Sequence, residues 1–148
     1  MDTRPAFGES GARDVADEVA KRLAHGLQYA LEAGHADAYD EPLAADVRWG
    51  GPFGALVVGY DRLIQLHRAL MQRNTAPPSR FEVVDAFSPA LGIVVAQIRR
   101  QAVDPSAFSE VAMYVLVERD ERWWVAAAQN APIDPTRSAI RLSDEIHS

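Results

Sequence analysis

Two apolar stretches near the carboxyl end, joined by a short charged segment, predict a long antiparallel β-hairpin. Residues 108–130 read FSEVAMYVLVERDERWWVAAAQN. On the first arm, valine and methionine side chains fall on one side and alanine, tyrosine and leucine on the other, so neither side is polar. Such a strand is expected to be buried on both sides. The charged segment 118–122 is the predicted turn, and we expect the hairpin to form the middle of a curved sheet.

Apolar residues repeat every three or four positions in two upstream segments, which predicts two amphipathic helices that cover the sheet. The first helix starts at Asp14, which can cap it, and ends at Gly34 in a left-handed conformation. The second spans residues 60–74. Four apolar side chains are expected to share one face of this second helix with His67: Leu63, Leu66, Leu70 and Met71.

The remaining segments predict short elements and four long strands. A short helix around Ala38 and Tyr39 is broken by Pro42, and short strands follow at 47–49 and 55–58. Alternating apolar residues then predict strands at 81–87 and 93–101, ahead of the hairpin. The predicted order is helix, short helix, two short strands, helix and four strands.

Length and composition indicate one folded domain. The chain has 148 residues, of which 48% are apolar and 24% charged, which is ordinary for a globular protein. We expect a single domain over 1–148, with a core at about 14–133. Residues 1–11 are expected to be a mobile lead-in, and residues 134–148 a tail that is either mobile or lies across a neighbouring subunit.

Charge and residue usage exclude several classes of partner and cofactor. A net charge of -6 argues against nucleic acid and against anionic membranes, which both require clustered basic residues. The chain has no cysteine, its four histidines lack metal-ligand spacing, and it has no dinucleotide fingerprint. We therefore expect no metal and no cofactor. The first ten residues lack the pattern of an export signal, so a cytoplasmic location is expected.

Two residues are candidates for acid/base chemistry. His67 lies in an apolar stripe, so it is either a core residue with one hydrogen bond or the ionisable group of a cavity. Asp46 is either a turn residue bonded to nearby backbone or a general base at a cavity rim. The glycine-rich loop that carries Phe53 is either a plain hairpin connection or a lid.

Two strand residues near the carboxyl end are candidates for the polar end of a pocket. Gln97 and Arg99 share one side of their strand, although Arg99 and Arg100 are also expected where a strand emerges into solvent. That second reading is the one favoured for both arginines.

The order of elements and three segments resemble a known superfamily. The segments are ALEAGHADAYDEPLAADVRWGGPFG (30–54), VGYDRLIQLHRAL (58–70) and ERWWVAAAQN (121–130). They resemble the nuclear transport factor 2-like superfamily, and more narrowly its SnoaL-like branch and the small proteins of bacterial enediyne clusters often labelled oxidoreductases. The resemblance implies an α+β fold, a cone-shaped roll in which a curved antiparallel sheet wraps around helices and encloses a conical cavity.

The resemblance also bears on chemistry. Ketosteroid isomerase relatives use a tyrosine with a protonated carboxylic acid and a carboxylate base. Here Glu110 lies at a strand start and Glu118 at the turn, so we expect no inward-pointing carboxylate in the last four strands. SnoaL-type cyclases use an acid/base pair, for which His67 assisted by Asp46 is the candidate.

Three functions remain open at this stage. As an enzyme, the protein would act on a hydrophobic, aromatic or polyketide-like molecule through His67. Apolar walls would come from Trp49, Phe53, Leu63 and Tyr114, and orienting hydrogen bonds from Gln97 or Gln129. Alternatively it binds such a molecule without chemistry, or is a dimeric assembly module. In each case we expect a homodimer through the outer face of the sheet.

Overall fold

The protein is described by a computed structural model over residues 3–8, 13–73 and 77–134. Three helices are α1 (Arg13–Ala33), α2 (Ala36–Tyr39) and α3 (Tyr60–Gln72). The strands are β1 (Leu43–Gly50), β2 (Leu56–Val58), β3 (Ser79–Ala90), β4 (Ile93–Ala102), β5 (Ser109–Arg119) and β6 (Arg122–Ile133). Nearly all of the predicted tail, and parts of the predicted lead-in, lie outside these described residues.

The strands form one six-stranded sheet in the order β2-β1-β6-β5-β4-β3. The β5–β6 hairpin occupies the middle of this sheet, as the sequence predicts. All neighbouring pairs are antiparallel except β1 and β6, which run parallel. Helices α1 and α3 pack on one face, so the predicted α+β architecture is confirmed.

Helix α1 is the main cover of the sheet. Its buried side chains are small or aliphatic and recur at helical spacing, from Ala16 and Val19 through Leu23 and Leu27 to Ala30. Gly34 follows the helix at φ 63°, the left-handed conformation expected at a helix end. Asp14 lies inside the first turn, one residue after the start, where its charge favours the helix dipole.

Helix α3 turns a different face inward from the one its leucines predict. Leu63 and Ile64 are buried, whereas Leu66 and Leu70 are exposed. Helix α3 packs against α2, β1 and β2 through positions 63, 64 and 67, whereas positions 66 and 70 are exposed. His67 therefore points toward the core.

A bulge in β6 breaks the regular alternation expected from the sequence. Leu116 pairs with Val125 and Val115 with Ala127, so Ala126 is an extra residue between them. The extra residue switches the faces of the strand. As a result Ala128 and Asn130 lie on the inner side together with Val125, and Gln129 is exposed.

The structure shows which face of β5 is buried. Ala112, Tyr114 and Leu116 are buried against the helices, and Met113 is half exposed on the outer face. Among the described residues, no helix is long and apolar enough to cross a membrane.

The β5–β6 turn holds two non-glycine residues at positive φ. Arg119 pairs with Arg122, which leaves a two-residue turn formed by Asp120 (φ 54°) and Glu121 (φ 64°). Turns of this geometry favour glycine, because a Cβ atom in the left-handed region meets neighbouring backbone.

We predict that Glu121→Gly raises the free energy of unfolding by about 0.5–1 kcal/mol, since glycine adopts positive φ without a Cβ clash. Urea unfolding measures the change. The matched control is Glu118→Gly, which places glycine inside β5 and should lower stability instead. A loss of stability in Glu121→Gly would contradict the prediction.

Candidate active site

The centre of the candidate site is a hydrogen bond between an imidazole and a buried carboxyl group. His67 Nδ1 lies 2.6 Å from Asp40 Oδ1. The His67 side chain is 12% exposed and that of Asp40 is 1% exposed. When a carboxylate oxygen accepts the Nδ1 proton, Nε2 is left free to take up or release a proton.

Asp40 is placed by the short helix α2. His35 caps the start of this helix through Nδ1, which accepts a hydrogen bond from the Ala38 amide at 3.1 Å. Asp40 follows the helix as its C-cap, and its own amide donates to the Ala36 carbonyl at 3.0 Å. Since its carbonyl also accepts from the Leu43 amide at 3.0 Å, the backbone at Asp40 is fixed on both sides.

The second oxygen of Asp40 has no hydrogen-bond partner among the described residues. Asp40 Oδ2 is fully buried and unpaired. Burial raises the pKa of Asp40 above its ordinary value, and the hydrogen bond from His67 opposes this rise. A buried carboxyl group with one free oxygen is a group that a bound molecule or a water could complete.

Aromatic rings enclose His67 on two sides. The ring centroid of His67 lies 5.4 Å from that of Tyr39 and 5.3 Å from that of Trp49, both in edge-to-face geometry. Trp49 in turn contacts Tyr114 at 6.2 Å, and Tyr39 contacts Phe81 at 6.3 Å. Helix α2, helix α3 and strands β1, β3 and β5 thus each contribute one ring.

The two tyrosines of this set remain protonated at neutral pH. Burial raises the pKa of Tyr39 and of Tyr114 far above the ordinary tyrosine value, and the negative charges of Glu110 and Asp40 raise both further. The Tyr114 hydroxyl makes no hydrogen bond to any described residue, although the side chain is buried. It is therefore a donor that a ligand could use.

Beyond Tyr114 the inner face carries a buried ion pair. Arg100 Nε donates to Glu110 Oε1 at 3.2 Å, and the Arg100 side chain is 7% exposed. The same guanidinium donates to Ser79 Oγ at 2.7 Å and to the Phe108 carbonyl at 3.2 Å, and it lies over the Phe108 ring.

This ion pair corrects two expectations. Glu110 shares the inner face with Ala112 and Tyr114, so the prediction that the last four strands have no inward-pointing carboxylate is wrong. The reading that places Arg100 where β4 emerges into solvent is also wrong. Because Glu110 and Ser79 satisfy its charge and donors, the arginine can stay buried at the strand end.

Phe53 lies at the edge of this region. It is 81% exposed, and its ring contacts that of Phe108 at 5.7 Å. The β1–β2 loop and the β4–β5 loop therefore meet through two phenylalanines. Leu63, also expected in the pocket wall, is fully buried in the core.

Asp46 is not brought to His67. It is exposed on β1, and its neighbours at alternate positions, Val47 and Trp49, are the ones that point inward. Asp46 instead lines a groove of about 850 Å³ with Tyr60, Asp61 and others. The carboxyl group that contacts His67 is that of Asp40, six residues earlier.

The two glutamines expected to orient a ligand lie away from His67. Gln97 is on the outer face of β4, because the buried residues Ala96 and Ile98 flank it. Gln129 is exposed after the β6 bulge, where it reaches the Gly51 carbonyl at 3.4 Å. The inward amide is that of Asn130, which donates to the Gly50 carbonyl at 2.9 Å.

Asp40, Glu110, Arg100 and Asn130 are the site residues that sequence reasoning missed. The pairing of Glu110 with Arg100 could have been found by aligning the hairpin register of β4 and β5. The role of Asp40 has no such signal, because a helix of four residues shows no periodicity. Among the described residues, no group of three or more histidine, aspartate or glutamate side chains is placed to hold a metal ion.

Comparison with known proteins gives structural neighbours only. No protein-family model and no curated protein matches the sequence. A domain of unknown function with a cystatin-like fold from Nostoc punctiforme has a TM-score of 0.71 at 13% identity, covering 90% of this chain and 87% of its own.

Two further structures have related folds. A ketosteroid isomerase-like protein from Erwinia carotovora atroseptica has a TM-score of 0.64 at 12% identity, over 85% of this chain and 99% of that one. An NTF-2 like protein of unknown function from Shewanella oneidensis has a TM-score of 0.60 at 15% identity, over 78% and 97%. At these identities the likeness concerns the fold, and the chain has the nuclear transport factor 2-like fold that its sequence resembles.

Proposed function

We propose that the protein is a cofactor-free small-molecule protein that acts on a hydrophobic, aromatic or polyketide-like compound by general acid/base chemistry. His67 is the group that takes up and releases a proton. Asp40 is a positioning residue, which holds the imidazole through Nδ1. The observation that carries this proposal is the 2.6 Å contact between the two side chains, set among aromatic rings.

The surroundings of the pair support a ligand of this kind. Trp49 and Tyr39 each contact the imidazole edge-to-face, and 12% of the His67 side chain stays accessible. The protonated Tyr114 hydroxyl is a hydrogen-bond donor for a carbonyl or phenolate oxygen.

His67→Gln tests the proton transfer. The probe is 2-tetralone, an aromatic ketone whose carbon-bound protons next to the carbonyl exchange with D₂O when a base removes them. Wild type should accelerate this exchange, and His67→Gln should lose about a hundredfold or more of the acceleration, because a positioned base contributes that much. Proton NMR follows the exchange.

The matched control is His25→Gln, which removes an exposed histidine on α1. It should exchange 2-tetralone at the wild-type rate. Equal rates in wild type and His67→Gln would rule out His67 as the base.

Asp40→Asn tests the buried carboxyl group through pH. The pKa of Asp40 is raised in the folded protein, so the folded state holds this proton more tightly than the unfolded chain does. The stabilisation is complete below the ordinary value of 3.8 and is lost as pH rises through the raised pKa. Relative to wild type, Asp40→Asn should therefore gain stability over this window. Urea unfolding at a series of pH values measures it.

A control variant and an NMR measurement distinguish a positioning role of Asp40 from a role in packing alone. Asp46→Asn removes an exposed carboxyl group from β1 and serves as the matched control for the unfolding curves. In ¹⁵N NMR spectra, Asp40→Asn should change the proton populations on the two ring nitrogens of His67. Unchanged ¹⁵N shifts of His67 would contradict the positioning role of Asp40. So would a plot of unfolding free energy against pH that runs parallel to that of wild type.

A second candidate function, assembly into a homodimer, is favoured by the outer face of the sheet. On β5 this face carries Val111, Met113, Val115 and Val117, with Arg119 at the end of the strand, and Met113 is 50% exposed. Val95 lies opposite Val115 on β4. An apolar strip along the middle of a sheet suits a two-fold contact with a second copy.

Met113→Lys tests this contact. Wild type should sediment as a dimer at micromolar concentration and Met113→Lys as a monomer, because a charge at the centre of an apolar interface is costly to bury. Leu91→Lys, at the fully exposed β3–β4 turn, is the control and should remain a dimer. A monomeric wild type would exclude the homodimer.

A further inference from the structure

A second concave site lies between α1 and the turn of the β5–β6 hairpin. It has a volume of about 350 Å³, near the lower end of the roughly 300–1,000 Å³ typical of ligand pockets. Its walls are mainly apolar: Leu23 and Leu27 come from α1, Pro42 follows α2, and Leu116 and Trp123 come from the hairpin. We call it the α1–hairpin crevice.

Gly26 forms part of the crevice wall and is not required there by the fold. It sits in the middle of α1, where glycine is a poorer helix former than alanine. A Cβ atom at this position would meet nothing within 4 Å. No close approach of another segment therefore explains the glycine, and its effect is to leave the crevice wider.

Glu121 is a second unfavourable local choice at the same crevice. Its φ of 64° is one that glycine adopts freely and glutamate does not. Glu121 also lines the crevice. Gly26 is unfavourable for helix α1 and Glu121 for the β5–β6 turn, and both line the same crevice. Residues that are locally unfavourable are expected at binding sites.

The charges at the rim leave one carboxylate without a partner. Arg22 pairs with Glu18 at 2.8 Å, and Arg122 pairs with Glu41 and lies over the Trp124 ring. Glu121 forms no ion pair or hydrogen bond with a described residue. A ligand cation would therefore find Glu121 available, and the aromatic ring of Trp123 beside it also attracts cations.

We propose that the α1–hairpin crevice binds a small aromatic amine. The aromatic ring occupies the apolar space beside Gly26, between Leu23 and Trp123, and the ammonium group pairs with Glu121. The size of the crevice suits one or two fused rings, and a carboxylate in place of the amine would meet Glu121 with like charge.

This site does not rest on the acid/base role of His67. Tyr39 stands between the two regions, because it lines the crevice and its ring also contacts the His67 ring at 5.4 Å. Binding in the crevice is therefore expected to persist when His67 is replaced by glutamine, and a failure of either proposal leaves the other standing.

Tryptamine is the probe and indole-3-propionate, which has the same ring and a carboxylate, is its counterpart. Calorimetry should show tryptamine binding to wild type and to His67→Gln, with indole-3-propionate weaker by about fivefold or more. Gly26→Leu fills the crevice and should weaken tryptamine binding at least about tenfold, while its melting temperature rises because leucine favours the helix. Glu121→Gln should remove the preference for the amine.

The control for the helix is His25→Leu, which adds a leucine at an exposed neighbouring position outside the crevice and should bind tryptamine like wild type. Amide chemical-shift changes in the wild-type protein give a test that needs no variant. With tryptamine they should centre on Gly26, Ala38 and Trp123. Shifts centred elsewhere, no binding at millimolar tryptamine, or wild-type affinity in Gly26→Leu would each overturn the proposal.

Discussion

The contact between Asp40 and His67 is the constraint on which the interior depends. A carboxyl group that is almost fully removed from water is unfavourable when charged unless a partner compensates it, and the imidazole is the partner that α3 supplies. The two helices supply the two partners. Helix α2 ends at Asp40 and α3 turns residue 67 inward, while Leu66 and Leu70 of α3 are exposed.

The inner face of the sheet extends the same arrangement toward the loops. From Asp40 and His67 the interior passes through the rings of Trp49 and Tyr114 to the pair of Arg100 and Glu110. Acidic, aromatic and basic groups thus follow one another along the concave side. This order places the histidine–carboxyl pair at one end of the interior and the buried ion pair at the other.

The sequence predicts the fold well, because the strands alternate strongly and the hairpin has apolar residues on both sides. It predicts the inward direction of His67 from helical spacing. It fails for Asp40, which lies in an element too short to show a period, and for Gln129 and Asn130, whose faces depend on one extra residue in β6. Local pattern cannot reveal a bulge, since pairing between strands determines it.

The parallel pairing of β1 with β6 has a consequence for how the chain assembles. Gly50 lies beside Gln129, so this pair of strands joins segments far apart in sequence. Bringing these segments together costs chain entropy before the contacts between them can stabilise the fold. During synthesis on the ribosome, the first strand must therefore wait for the last one to emerge, and its unpaired backbone is open to premature association until then.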